Sequence, residues 1–506
     1  MRQRLEETDP LFPNLTDDDD RRFDAALATV RQQMGRSHAL WIDGRDHPTR
    51  HERVQHAPFD RGLVLGGFAA ATPLEAGLAV EAAARAFPAW NGTAPADRRG
   101  VIRRVLQRME DEAFALGAIL ALEVGKPRRE AMREAWGTAA LLVTYCDEWA
   151  SHGWGDGPDP RGTGYGPWAV FAPFHHPLAF SAGPAAAALL AGNTVVIKAP
   201  EQAAWATRRF VELLHEVGLP PGVCNLVMGT PDDLGDALLA DVRFAGATYV
   251  GAPGPARALE MLYARTRHPR PLLAQVTRKA ARIVTARGDL PAAAASVARA
   301  AFGMAGQRPS APSHVFVHHD VADAFLALLV AETRALHVGD PTMRGTDVGP
   351  LCSAADVRAY RDEVLRLHTP GAQVLCGGEV MAGGGLGAGN FVAPTVAEVS
   401  RDDHPAWPGD LMAPVLLARR YDDEGALVRA VVRLRRGHAV RVHGAPEEGD
   451  RLARALVLSA RDDTGADPMA WQGLMPFAHD FDPSPDPMQG LHQHLAHYVR
   501  PGVTSR

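Results

Sequence analysis

The sequence predicts an α/β protein organised around two mainly parallel sheets, and three observations carry that expectation. From Ala169 the apolar pattern alternates between β-prone and helical runs: WAVFAP, AFSAGPAAAALLAGN, TVVIKAP, ATRRFVELLHEVG and VCNLVMG succeed one another across short Gly/Pro turns. Strands buried on both faces and joined by covering helices need this alternation, and open sheets of the kind bind dinucleotides. A second run of the same type starts near LLAQVTRKAARIV and continues through HVFVHHDVADAFLALLVAETRAL. Ahead of both, LEAGLAVEAAARAFPAWN and DRRGVIRRVLQRMEDEAFALGAILALEVG read as long amphipathic helices, and residues 1–36 as a helical arm.

Composition narrows the function. At 506 residues, 46% hydrophobic and 22% charged, the chain is long enough for two or three domains with full cores. A net charge of -6 spread over both signs gives no basic stripe for nucleic acid, and the Asp17–Asp20 run is expected to be a solvated helix start. No stretch of about 18 apolar residues lacks charges, and MRQRLEETDP lacks the apolar core of a signal peptide. The expectation is a cytoplasmic protein with no membrane contact. Cys146, Cys224, Cys352 and Cys376 show neither CxxC nor zinc-like spacing, so free thiols are expected rather than disulfides or a structural metal. The Gly-rich MAGGGLGAGN reads as a loop tip.

The segment LAGNTVVIKAPEQAAWATRRFVELLHEVGLPPGVCNLVMG closely resembles the cofactor-domain signature of the aldehyde dehydrogenase superfamily. The similarity runs on through WIDGRD, AFPAWN, LEVGKPRREA, VGDPTMRGTDVGPL, GNFVAPTV and APVLL. LEVGKP, AFGMAGQ and SAPSH are most similar to the branch that oxidises glutamate semialdehyde, the delta-1-pyrroline-5-carboxylate dehydrogenases. The resemblance implies two Rossmann-like parallel-sheet domains. The dinucleotide-binding type covers 37–150 and 167–272, the catalytic type covers 273–486, and an oligomerisation element is formed by 151–166 and 487–506. It further implies NAD as cofactor, and assembly as a homodimer or as a hetero-oligomer with an active paralogue or related enzyme.

In that family a thiolate attacks the aldehyde carbon, the adduct gives hydride to NAD, and a glutamate activates the water that hydrolyses the thioester. The resemblance implies a nucleophile one residue beyond a Gly-Gln pair. Gly306 and Gln307 are present in GQRPSAPSH, and the position falls on Pro309. Proline has neither a nucleophile nor an N–H, so the thiol and a main-chain oxyanion donor vanish together. The glutamate of the family's Glu-Leu-Gly-Gly-Lys motif corresponds to Gln275 in QVTRK, and an amide takes no proton from water. Thr277 and Arg278 replace the two glycines and add bulk. The oxyanion-donating asparagine of Pro-Trp-Asn-Phe-Pro corresponds to His175 in PFHHP, where a neutral imidazole still donates one hydrogen bond. In DLMAP, Asp410 and Met412 stand for the glutamate and phenylalanine of Glu-Ile-Phe-Gly-Pro, whose acid holds the nicotinamide ribose. The substrate-loop and carboxylate-anchor segments are reduced to PFAHDF and DPSPDPMQG.

The adenosine end departs less. Lys198 and Glu201 in IKAPE keep the spacing that holds the adenosine ribose in the family. Two readings stand for them: retained nucleotide contacts, or an inherited structural ion pair. Of the family's Phe-Thr-Gly-Ser turn, Gly251 remains and Ala252 replaces the serine, while Pro253 and Pro255 remove N–H groups from the helix start that would face the pyrophosphate. The cofactor contacts implied are therefore Lys198, Glu201, Gly251 and Asp410, with NAD weakly held.

Other chemistry has less support. Ser310 with His175 or His176 would suggest a hydrolase, but no Gly-x-Ser-x-Gly turn accompanies them. Cys224 and Cys146 fall in core patterns and read as inert thiols. His492, His494 and His497 lack an acidic or thiol neighbour for a metal site. The expectation is a catalytically inactive aldehyde dehydrogenase homologue acting in binding or assembly. The alternative is an NAD-dependent oxidoreductase that converts glutamate semialdehyde to glutamate.

Overall fold

The computed structural model describes residues 15–151, 164–230, 234, 238–265, 270–276, 279–408, 411–434, 440–462 and Tyr498. The helix Asp17–Arg31 starts at a capping box, with Thr16 Oγ1 accepting from the Asp19 N–H at 3.1 Å and the Asp19 carboxylate accepting from the Thr16 N–H at 3.0 Å. The acidic run is thus a helix start that is solvated only in its first half, Asp17 and Asp18 being exposed. Asp19 is buried, and Asp20 pairs with the Arg128 guanidinium at 3.0 Å, fixing the helix against the body.

Seven strands form the first sheet, in the order Leu272–Val276, Gly246–Gly251, Pro167–Phe171, Thr194–Lys198, Cys224–Val227, Leu40–Ile42 and Arg45–His47. The first five run parallel, and the last two attach antiparallel. The central strands are buried along their length, as the unbroken apolar runs require. The second sheet orders Ala372–Cys376, Thr395–Val399, Val415–Tyr421, Pro312–His318, Ala280–Val284 and Val440–His443, parallel except for its first pair. Leu272–Val276 pairs along its whole length with the first sheet, so the predicted boundary at 272/273 cuts through an edge strand of that sheet. Each sheet lies in its own large apolar core.

Alanine and leucine let the helix Pro177–Leu190 be buried on every side under the first sheet. Burial leaves its first N–H groups without water, and it has no cap of its own. Glu134 supplies one, accepting from Leu178 and Ala179 at 3.0 and 3.2 Å, while its second oxygen pairs with the buried Lys126. Glu123 caps the helix Trp205–Glu216 in the same way, accepting from Trp205 and Ala206 at 2.8 and 2.9 Å. Burial raises the Glu123 carboxyl to about 8, against the pull of those two N–H groups. The polar letters of LEVGK therefore have a structural task.

Tyr498 is fully buried within its own chain. Its hydroxyl lies 2.7 Å from Thr248 Oγ1, its carbonyl accepts from Asn193 Nδ2 at 2.9 Å, and its ring lies 4.8 Å from that of Trp168. Segment 151–166, apart from Ser151 and Gly164–Gly166, lies outside the described residues, as do the remaining residues after Asp462.

Candidate functional site

The reacting end is approached through a turn that only tertiary contacts can hold. After the helix Leu290–Phe302, Met304 and Ala305 take φ values of 52° and 51°, and Gly306 takes 67°. Two consecutive non-glycine residues in the left-handed region are strained, and such strain persists where surrounding structure over-determines it. Glu130 accepts from the Met304 N–H at 2.7 Å. The Gln307 amide donates to the Met304 and Pro350 carbonyls at 3.1 and 3.2 Å and accepts from the Cys352 N–H at 2.8 Å. A side chain at Gly306 would collide with the Ala413 carbonyl, which also accepts from the buried Lys279 ammonium at 3.0 Å. These contacts explain why Gly306, Gln307 and Lys279 remain.

Pro309 follows as a buried residue. Gln275 lies in the edge strand Leu272–Val276, almost fully buried, and neither of its amide atoms finds a hydrogen-bond partner among the described residues. That is a cost without a local return. His175 is buried, with Nδ1 3.0 Å from Nδ1 of His176. Thr277, Arg278, Asp410, His492, His494 and His497 lie outside the described residues; Met412 is half-buried.

A polar cavity opens beside this turn, lined by Lys126, Glu130, Arg133, Glu134, His176, Arg308 and Ser310 together with Met304. Glu130 is raised by burial, although the Arg308 and Lys126 charges work against the rise. Burial and the Lys126 charge hold His176 well below the ordinary imidazole value, so it stands neutral there. Ser310 and His176 share the cavity, but no hydrogen bond joins them. The remaining thiols are no substitute nucleophiles: burial pushes Cys146 up to about 11, Cys224 up to about 12 and Cys352 well above its usual range.

The adenosine end is built differently. Lys198 closes the strand Thr194–Lys198, half-buried, and no hydrogen bond or ion pair engages its ammonium among the described residues. Burial lowers it to about 8, the Glu201 charge opposes that fall and the Arg53 charge adds to it. Glu201 does not pair with Lys198. One carboxylate oxygen meets Arg53 Nη1 at 3.3 Å, and the other accepts from Gln202 Nε2 at 3.1 Å. The structural ion pair considered for Lys198 and Glu201 is thus replaced by one between Glu201 and Arg53, from the strand Glu52–Ala57. Gly251 ends the strand Gly246–Gly251, where a Cβ would stand 2.5 Å from the Tyr249 hydroxyl, itself bonded to the Ala252 carbonyl at 3.1 Å. The helix Pro253–Ala264 starts without a side-chain cap, and two of its first three residues are proline.

Sequence reasoning passed over Arg53, Glu130, Arg133, Glu134 and Arg308. Glu130 and Glu134 stand four apart on one helix, a spacing that puts them on one face, and was the available signal. Arg53 lies 148 residues from Glu201, and no local pattern joins them. His318, His319 and Asp320 bring three metal-ligating groups together on a turn, yet Asp320 already faces both imidazoles, at 3.6 and 2.9 Å.

Comparison with known proteins agrees with the motif reading. The model of the aldehyde dehydrogenase family matches residues 41–459. A 1-pyrroline-5-carboxylate dehydrogenase of Bacillus licheniformis is 30% identical over 400 residues, 76% of each chain. One of Geobacillus thermodenitrificans is 31% identical over 405 residues, again 76% of each. Among solved structures, 1-pyrroline-5-carboxylate dehydrogenase from Thermus with bound NAD superposes with a TM-score of 0.80 at 25% identity, covering 88% of both chains.

Proposed function

Because the chain belongs to the aldehyde dehydrogenase family, we propose that it is a member whose covalent catalysis has been lost and whose remaining work is binding or assembly. The observation that carries this reading is the buried Pro309 at the end of an otherwise intact turn. The scaffold that aims a nucleophile is present, with its strain and its supporting Glu130, while the group it would aim is absent. Gln275 supports the same reading, because an amide in place of the carboxylate leaves no base for hydrolysis. No neighbouring thiol is acidic enough to take over.

A second reading is favoured by the comparisons taken alone: the relatives are named as 1-pyrroline-5-carboxylate dehydrogenases, and one neighbour carries bound NAD. On that reading the chain oxidises the corresponding semialdehyde with NAD. The residues fit the cofactor at one end. The chemistry of Lys198 and Glu201 suits the two hydroxyls of an adenosine ribose, at the strand ends where nucleotides sit in open sheets. When bound, NAD would supply the hydride acceptor. They fit less well at the pyrophosphate, where Gly254 alone among the first three helix residues offers an N–H.

Production of NADH or NADPH decides between the readings. With glutamate semialdehyde and simple aldehydes, the first reading expects no rate above background. A turnover of about 1 per second or faster overturns it. Light scattering checks the assembly half, in which the chain is a homodimer or joins an active paralogue. A chain that stays monomeric at tens of micromolar, alone and mixed with such a paralogue, would remove it.

A further inference from the structure

The adenosine end carries a charge arrangement that a plain ribose does not need. An acidic side chain at this place in a dinucleotide fold accepts from the ribose 2′-hydroxyl and repels a 2′-phosphate, whereas an arginine nearby accommodates that phosphate. Here both features are present, and the geometry decides how they combine. Glu201 has one oxygen on Arg53 Nη1 at 3.3 Å and the other on Gln202 Nε2 at 3.1 Å. Gln202 is itself fixed through its carbonyl by Gln55. The carboxylate is therefore held toward the strand Glu52–Ala57, with its charge offset by a guanidinium. Arg53 spends one of its five N–H donors on Glu201 and remains about half exposed. Lys198 brings a second cation close enough to feel both Arg53 and Glu201, and its ammonium has no partner among the described residues. Two cations face one acid.

We propose that this end of the cleft recognises an adenosine carrying a phosphate on its ribose 2′-oxygen, as in NADP, with Arg53 and Lys198 as the donors to that phosphate. Arginine offers the planar fork that phosphate recognition favours, and lysine adds a point charge. The recognition is the more needed because the helix start at Pro253 gives the pyrophosphate little. This inference rests on the reading that the adenosine pocket still takes a nucleotide, and the test separates the two.

Calorimetry with the full-length protein would compare 2′,5′-ADP with ADP, which carry the same number of phosphates in different places. The expected result is a Kd for 2′,5′-ADP at least about tenfold below that for ADP. In Arg53→Ser, with an unchanged melting temperature, the preference should shrink to within about threefold. Equal or tighter binding of ADP, or a preference that survives Arg53→Ser, overturns the inference and leaves the nucleotide pocket standing. Tighter binding of 3′,5′-ADP than of 2′,5′-ADP overturns the 2′ assignment. Binding of none of these at millimolar concentration removes both the inference and the pocket.

Discussion

The two regions expected to hold the adenosine and the reacting group are built in different ways. At the adenosine end, charged side chains sit at strand termini with solvent within reach: Lys198 is half-buried and Arg53 about half exposed. At the expected reacting end the positions are sealed, with Pro309 buried and the Gln275 amide enclosed without a partner among the described residues. Yet the reacting end is not decayed as structure. Its left-handed turn, the Gln307 bridge and the Lys279 contact are all in place. Glu123, Lys126 and Glu134, at least as deeply buried as Gln275, keep their charge-bearing types. The contrast teaches that polar groups which satisfy backbone N–H groups answer to the fold, while a side chain that satisfies none is free of that constraint and answers only to what binds there.

The largest effect that could break this contrast is a gain of catalysis. Pro309→Cys combined with Gln275→Glu restores a thiol, a main-chain N–H and a carboxylate base to an existing scaffold. NADH production from aldehydes should rise at least about 100-fold over the unaltered chain. No gain would mean that Thr277, Arg278 or the substrate loops also bar the reaction.

Next in size is a change on the structural side. Glu134→Gln removes the partner of the buried Lys126 and weakens the cap on Pro177–Leu190, so urea unfolding should show a loss of about 3–5 kcal/mol. A loss under about 1 kcal/mol would mean that these charges are not held by the fold, and the contrast would lose one of its terms.

Acid sharpens the comparison more gently. Burial holds His38, His176, His215 and His443 below the ordinary imidazole value, His443 at about 4. At these four rings the unfolded chain binds more protons than the folded one below about pH 6.5, whereas the raised Glu123 and Glu130 carboxyls work in the opposite direction. Stability from the four rings is complete above that pH and declines as the pH falls toward 4, by about 3 kcal/mol for His443. Thermal melts across this range check it. Comparison with His443→Gln isolates this ring from the carboxyls, and a variant whose Tm falls with acidification as steeply as that of the unaltered chain would contradict the neutral state of His443.

The smallest effect concerns the tail. Tyr498→Phe removes one buried hydrogen bond to Thr248 and should cost about 1 kcal/mol with no change in particle size. Dissociation of an assembly on this change would instead tie the residue to a subunit contact.

Local pattern and motif counting were enough for the alternation of strands and helices and for the family, and they supplied the expected positions of the reacting groups. Apolar periodicity is local, and motif positions such as Pro309, Gln275 and Lys198 are counted along the chain. The sequence also located the helix that starts at Asp17, with Asp17 and Asp18 solvated as expected, but not the burial of Asp19 or the pairing of Asp20. What it could not give were pairings made across long separations. Glu201 reaches Arg53 rather than Lys198, Tyr498 inserts beside Trp168, Thr248 and Asn193, and Glu134 spans from one helix to cap another. These depend on which elements the sheets bring side by side. A charge or a backbone N–H takes the partner nearest in space, whatever their distance in sequence, and only the tertiary structure decides which partner that is.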